Sequence, residues 1–391
     1  MEDFSFLTSG LCVFDVKRDP IITAFSSLGK GSAAESAAAY CDIVRTLLVS
    51  GKTLGEYLYE MLIFTPSDVL SACAKEPSPL RKKAVAHDAE IISRLAEYSS
   101  ERLKAELCEH YAGCDFSAFP DYDKGEFTAS ASDIIAYAAE NGSGVFAKYK
   151  AFSYAGGALR PIESTDPIKL CELKNYEVQR RQVIENTECF LNGEPAQNVL
   201  LYGDRGTGKS STVKAILNEY DKLRMIDLPK NEIAALPSLF RQLREIPLHF
   251  IVMIDDLTFS ENDDRFSILK ASLEGSLEAR PANILIYATT NRRKIIKETV
   301  AEREINGSDS IDESMSLADR FGLFITFSRP NRDGYLDIVK KLAEDRALCV
   351  PEDKLFSCAD RFSVKRGGYS PRIAKQFVDW LEGRIKLGMD Y

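Results

Sequence analysis

The stretch Gly203-Asp204-Arg205-Gly206-Thr207-Gly208-Lys209-Ser210 satisfies GxxxxGK[ST] at every fixed position. Each residue type has a physical reason. A loop that wraps backbone N–H groups around phosphates needs glycine for close approach and positive φ. The N-terminus of the helix that follows then faces the anion. Lys209 reaches the β and γ phosphates in such a loop, and the Ser210 hydroxyl ligates magnesium. By composition alone the pattern arises in roughly one chain of this length per hundred. Context removes most such accidents. The apolar run Val199-Leu200-Leu201-Tyr202 precedes the loop, and a helical stretch from Ser211 to Tyr220 follows it. This strand, loop and helix order predicts a site for ATP and Mg2+ that runs through Gly203 to Ser211.

Further along, Phe250-Ile251-Val252-Met253-Ile254 ends in Asp255-Asp256. A buried strand ending in acid sets a carboxylate at the carboxyl edge of a sheet, beside the phosphate loop. Asp255 is therefore the expected magnesium partner of Ser210. Short apolar runs recur at Met225–Leu228, Ile284–Ala288 and Leu323–Phe327, separated by helical segments. Runs of this kind suit parallel strands covered on both faces. The prediction is a five-stranded parallel αβα P-loop core over residues 166–328.

The flanks read as helix. Residues 1–165 form a predicted helical N-terminal domain, with a capping box at Thr53-Leu54-Gly55-Glu56 and Thr65 before Pro66 as a helix start. Residues 329–391 form a predicted small helical lid. Tyr335, Ile338, Val339 and Leu342 share one face there, and Ser370-Pro371 opens the last helix. His87 and His110 read as surface or packing residues, and the cluster Cys108, His110 and Cys114 matches no standard zinc spacing.

The totals set outer bounds. In 391 residues, 45% are hydrophobic and 28% charged, as in ordinary globular proteins. The apolar runs stop near five residues, where a membrane helix needs about 20. The acidic start and nine scattered cysteines without a CxxC pair lead to the expectation of a cytoplasmic protein with reduced thiols. A net charge of -9 speaks against a generally nucleic-acid-coating surface.

Taken together, the motifs resemble those of the AAA-plus ATPases over residues 166–391. Ile284 to Asn291 is similar to the sensor 1 strand, Leu317-Ala318-Asp319-Arg320-Phe321-Gly322 to the arginine-finger segment, and Gly367 to Arg372 to sensor 2. Asn175 to Arg180, Leu201 to Ser211 and Leu273 to Arg280 resemble a bacterial AAA-plus family of predicted ATPases of unknown function. The resemblance implies that Asn291 helps orient the attacking water and that Tyr176 borders adenine. It also implies that Arg372 acts from the lid, and that Arg320 acts on a neighbouring subunit's site. Self-association follows, as a ring or an ATP-dependent oligomer. The family strand usually ends Asp-Glu, whereas here the second acid is Asp256, one methylene shorter. Asp256 is the expected base, with Glu261 as an alternative. Arg292, Arg293, Lys294 and Lys297 form either a basic subunit-interface or ligand patch or a solvated face. The expected activity is ATP hydrolysis coupled to remodelling of an unknown protein client. A nucleic-acid loader and a slow nucleotide-dependent switch are the alternatives.

Overall fold

The computed structural model describes residues 2–260, 263–274, 281–291, 296–297 and 320–391. Two compact units result. The first holds Met1–Tyr149 with Glu245–Leu248, and the second holds Lys150–Arg244 with His249–Tyr391. No described helix is long and apolar enough to cross a membrane.

The first unit runs from helix α1 (Phe4–Ser9) to α9 (Val145–Lys148). Side chains fix where its helices begin. Ser32, Thr53 and Ser130 each form a reciprocal capping box, with Glu35, Glu56 and Asp133. Each box satisfies two backbone N–H groups that the first helical turn leaves unpaired. Thr65 differs from the expected helix start. It closes the helix Leu54–Phe64, and Ser67, after Pro66, caps the next one by accepting the Leu70 N–H. The core packs Phe4, Phe25, Tyr40, Leu58, Ile92 and Leu107, all fully buried.

The second unit is built on one main sheet. Its strands are β1 (Ala151–Ala155), β2 (Ala158–Pro161), β3 (Val199–Gly203), β4 (Leu223–Asp227), β5 (His249–Ile254), β7 (Ile284–Thr290) and β9 (Leu323–Phe327). Two-residue strands β6 (Phe259–Ser260) and β8 (Ile296–Lys297) pair separately. The five expected strands are present and mutually parallel as β4-β5-β7-β3-β9. The sheet has seven strands rather than five. β1 runs parallel to β4, and β2 returns antiparallel to β1. The two-residue link Gly156-Gly157, with φ of 59° and 84°, makes this hairpin within the stretch expected to be mostly helical. Phe152 and Tyr154, alternate residues of β1, are buried and anchor it.

Helices α10 (Glu177–Leu191) and α11 (Lys209–Glu219) contribute Val183, Phe190, Val213 and Ile216 to a core shared with Val199, Leu201, Ile251 and Tyr287 of the sheet. α12 (Leu236–Leu243) and α13 (Asp264–Glu274) complete the described helices of the core. The lid is α14 (Arg332–Asp345), α15 (Glu352–Lys365) and α16 (Pro371–Lys386). These close around Tyr335, Val339, Ala359, Phe377 and Leu381. Ser370 caps α16 through the Ile373 N–H, with Pro371 in the first turn.

Candidate functional site

The loop between β3 and α11 gathers the site. At Gly203, φ is 138°, and a Cβ there would stand 2.0 Å from the Phe327 carbonyl oxygen of β9. Only glycine lets the loop leave the strand at that point. Gly208 sits in the left-handed region at the N-cap of α11, which aims that helix's N-terminus into the loop.

Lys209 is buried. Its Nζ donates to the carbonyls of Gly203 at 2.9 Å and Asp204 at 2.8 Å, and to Asn291 Oδ1 at 3.0 Å. Burial pushes its pKa down, against the opposing charges of Asp204, Asp255 and Asp256; Arg372 pushes it the same way as burial. Ser210 Oγ donates to Asp255 Oδ1 at 2.6 Å. Two oxygens this close suit neighbouring corners of a magnesium octahedron, where metal–oxygen bonds of 2.0–2.1 Å give corners about 2.9 Å apart. Hard oxygen donors, one of them anionic, also match the preference of that ion.

The carboxyl edge of the sheet orders the acids. Thr289 Oγ1 donates to Asp255 Oδ1 and accepts the Asp256 N–H at 3.1 Å. Asn291 Nδ2 donates to Asp256 Oδ1 at 2.7 Å. Asn291 thus links Lys209 and Asp256. Asp256 turns through φ of 51°, a conformation that aspartate tolerates better than most residues.

Thr289 is a site residue that the motifs did not identify, and Arg329 is another. Arg329 donates its N–H to Asp204 Oδ2 at 3.1 Å, and its guanidinium lies 3.7 Å from the same carboxylate. A polar threonine near the end of an all-buried strand was the available signal for the first. The second had none, because a lone arginine after a strand is ordinary.

The lid contacts the loop directly. The Arg372 N–H donates to the Gly206 carbonyl at 3.1 Å. A cleft of about 530 Å3 is lined by Arg205, Lys209, Ser210, Asp255, Asn291 and Arg372, among others. Asp256, Ser211 and Thr289 also face it. A neighbouring cavity of about 270 Å3 shares Gly208 and Pro371 with that cleft and is bordered by Tyr176, Thr207, Ile338 and Leu342. Tyr176, at the start of α10, packs its ring 5.1 Å from Phe327 and donates its hydroxyl to the Ser328 carbonyl at 2.6 Å. Its pKa is pushed up to about 12 by burial, then by Asp204. The site therefore offers a polar, cation-lined compartment beside a more apolar one.

Not every expected residue joins it. Arg320 is exposed and does not line either cavity. Glu261, Arg292, Arg293, Lys294, Leu317 to Asp319 and the stretch 275–280 lie outside the described residues. Lys297 is described only as a position in β8.

Residues 147–385 match the family described as "Protein of unknown function (DUF815)". The proteasome-activating nucleotidase of Methanothermobacter thermautotrophicus is 28% identical over 221 residues, 49% of this chain and 50% of that one. The Cell division cycle protein 48 homolog of Archaeoglobus fulgidus is 28% identical over 215 residues, 51% of this chain and 26% of that one. The chain thus spans half or less of the length of these relatives. Among solved structures, the RuvB Holliday junction branch migration motor of Thermotoga maritima aligns with a TM-score of 0.41 at 16% identity. That alignment covers 57% of this chain and 67% of the other.

Proposed function

Because the chain belongs to the DUF815 family, AAA-plus proteins of unknown function, we propose that it hydrolyses ATP and couples nucleotide state to the remodelling of a protein client. The observation that carries this reading is the continuous chain Lys209–Asn291–Asp256 beside the pair Ser210–Asp255 in one cleft. A relative named for nucleotide chemistry and the proteasome supports both the hydrolysis and the protein client.

Each residue then has a task. Backbone N–H groups from Gly203 to Ser211 cradle the phosphates, and Lys209 places its charge against the β and γ groups. Ser210 and Asp255 hold Mg2+, which supplies charge neutralisation at the transferring phosphoryl group. Asp256 accepts the proton of the attacking water, and Asn291 orients Asp256 and that water. Arg372 brings a cation from the lid, and Tyr176 borders the base in the smaller cavity. Arg320 serves the site of a neighbouring subunit, which makes the working form an assembly.

Asp256 also sustains a second reading. Its carboxylate is shorter than glutamate and already engaged by Asn291, which favours slow turnover and a nucleotide-dependent binding switch. Steady-state phosphate release by the full chain decides between the two. A remodelling ATPase shows client-stimulated turnover that Asp255→Ala abolishes. ATP binding without turnover under any client would leave the switch.

A further inference from the structure

In the first unit a cysteine meets an adjacent histidine–aspartate pair, the aspartate 76 positions further along the chain. Cys12 lies in the loop between α1 and the helix Pro20–Ser27, whereas His87 and Asp88 lie on the helix Pro79–Ala96. The thiol, an imidazole nitrogen and a carboxylate oxygen all lie within 4.8 Å of one another. His87 Nδ1 stands 3.2 Å from Asp88 Oδ1, and Cys12 Sγ stands 3.5 Å from the same oxygen. We propose that Cys12, His87 and Asp88 form a site for a thiolate- and imidazole-preferring divalent cation, zinc in chemical class.

The spacing fits. With zinc bonds of 2.3 Å to sulfur and 2.0–2.2 Å to nitrogen and oxygen, a tetrahedron has N···O edges of about 3.4 Å and S···O edges of about 3.6 Å. The two observed separations lie close to both.

The carboxylate is prepared for the role. Asp88 is fully buried, and its Oδ2 accepts the N–H groups of Cys12 at 3.0 Å, Val13 at 2.7 Å and Phe14 at 3.2 Å. Those bonds fix one oxygen and turn the other toward the thiol and the imidazole. Metal-ligating carboxylates are commonly held in this way by groups behind them. Oδ1 also accepts the Cys12 N–H at 3.1 Å, which ties the cysteine backbone to the site. Among the described residues, His87 is the only basic side chain within ion-pair distance of Asp88, and it is half exposed. Cys12 and His87 are exposed, so an ion has an entry path.

The test uses the full chain and cobalt(II) as a visible stand-in. One equivalent is expected to give a thiolate-to-cobalt charge-transfer band that zinc then bleaches. Cys12→Ser and His87→Ala change exposed side chains and should leave the circular dichroism intact. Each should lose the band, while Cys114→Ser, at an exposed cysteine elsewhere, should keep it. A band that survives in Cys12→Ser or His87→Ala overturns the site, as does a full chain that shows no such band. The magnesium site contains no thiol, so cobalt bound there does not mimic the signal.

Discussion

Lys104 and Lys209 are both buried lysines, 8% and 5% exposed, and each donates three hydrogen bonds. Their partners differ. Lys104, in the first unit, reaches Asp121 Oδ1 at 2.6 Å and the carbonyls of Phe119 at 3.0 Å and Ser117 at 3.4 Å. It thereby clips a loop to its helix with a carboxylate in contact. Lys209 meets two loop carbonyls and an amide. Among the described residues no carboxylate lies within ion-pair distance of it. Its charge is held in place by neutral dipoles and remains available to an incoming anion, whereas that of Lys104 is already matched. Identity and burial do not separate these lysines; the charge of the contacting oxygen does.

That contrast can be broken at several points. The largest effect is expected at Arg320. Arg320→Ala should retain ATP binding and lose about 10³-fold or more in turnover, the scale set by arginine fingers in GTPases. Mixing it with Lys209→Ala should restore part of the rate, since one variant keeps the arginine and the other keeps the phosphate loop. Concentration-independent turnover without complementation would return Arg320 to the ordinary surface. Asp256→Asn should spare ATP affinity and reduce turnover by about 10²-fold or more, as general bases do. Full activity in that variant removes Asp256 as the base and leaves Glu261 to be tried.

Lys209→Ala should weaken ATP binding at least about tenfold, or 1.4 kcal/mol, in calorimetry. Burial holds the Lys209 pKa below the ordinary 10.5. As pH rises, affinity should therefore begin to fall before pH 10.5 is reached, because the amine deprotonates early, and Lys209→Arg should flatten the decline. The smallest effect belongs to the other lysine. Lys104→Met should leave ATP affinity unchanged and cost the first unit about 0.5–1.5 kcal/mol, the net range for a hydrogen bond whose partners can turn to water. Denaturant midpoints check this. A Lys104 variant that loses ATP binding would erase the distinction between the two.

What could be read ahead depended on how local each signal is. The loop from Gly203 to Ser210 is contiguous, and Asp255 sits at the end of an unmistakable apolar run, so both were legible. The same holds for Thr53 and Ser370, whose caps involve residues only three positions away. The β1–β2 hairpin was missed although Gly156-Gly157 between alternating residues announces it, because helical segments surround it. Thr289 and Arg329 act through bonds to residues 34 and 125 positions away in sequence. Cys12 and Asp88 are 76 positions apart, and no spacing rule spans such a gap. Contacts made by folding, rather than by neighbours along the chain, account for the omission of Thr289, Arg329 and the Cys12–Asp88 contact.

The β1–β2 hairpin has one more effect. A sheet ending at β4 would present a bare row of N–H and C=O groups to other chains. β2 takes that outermost place instead, and it is short, exposed and carries Arg160 and Pro161. Proline has no N–H to offer, and a charged, four-residue border is a poor template for strand addition. This end of the sheet is thereby guarded against aggregation when many copies crowd together.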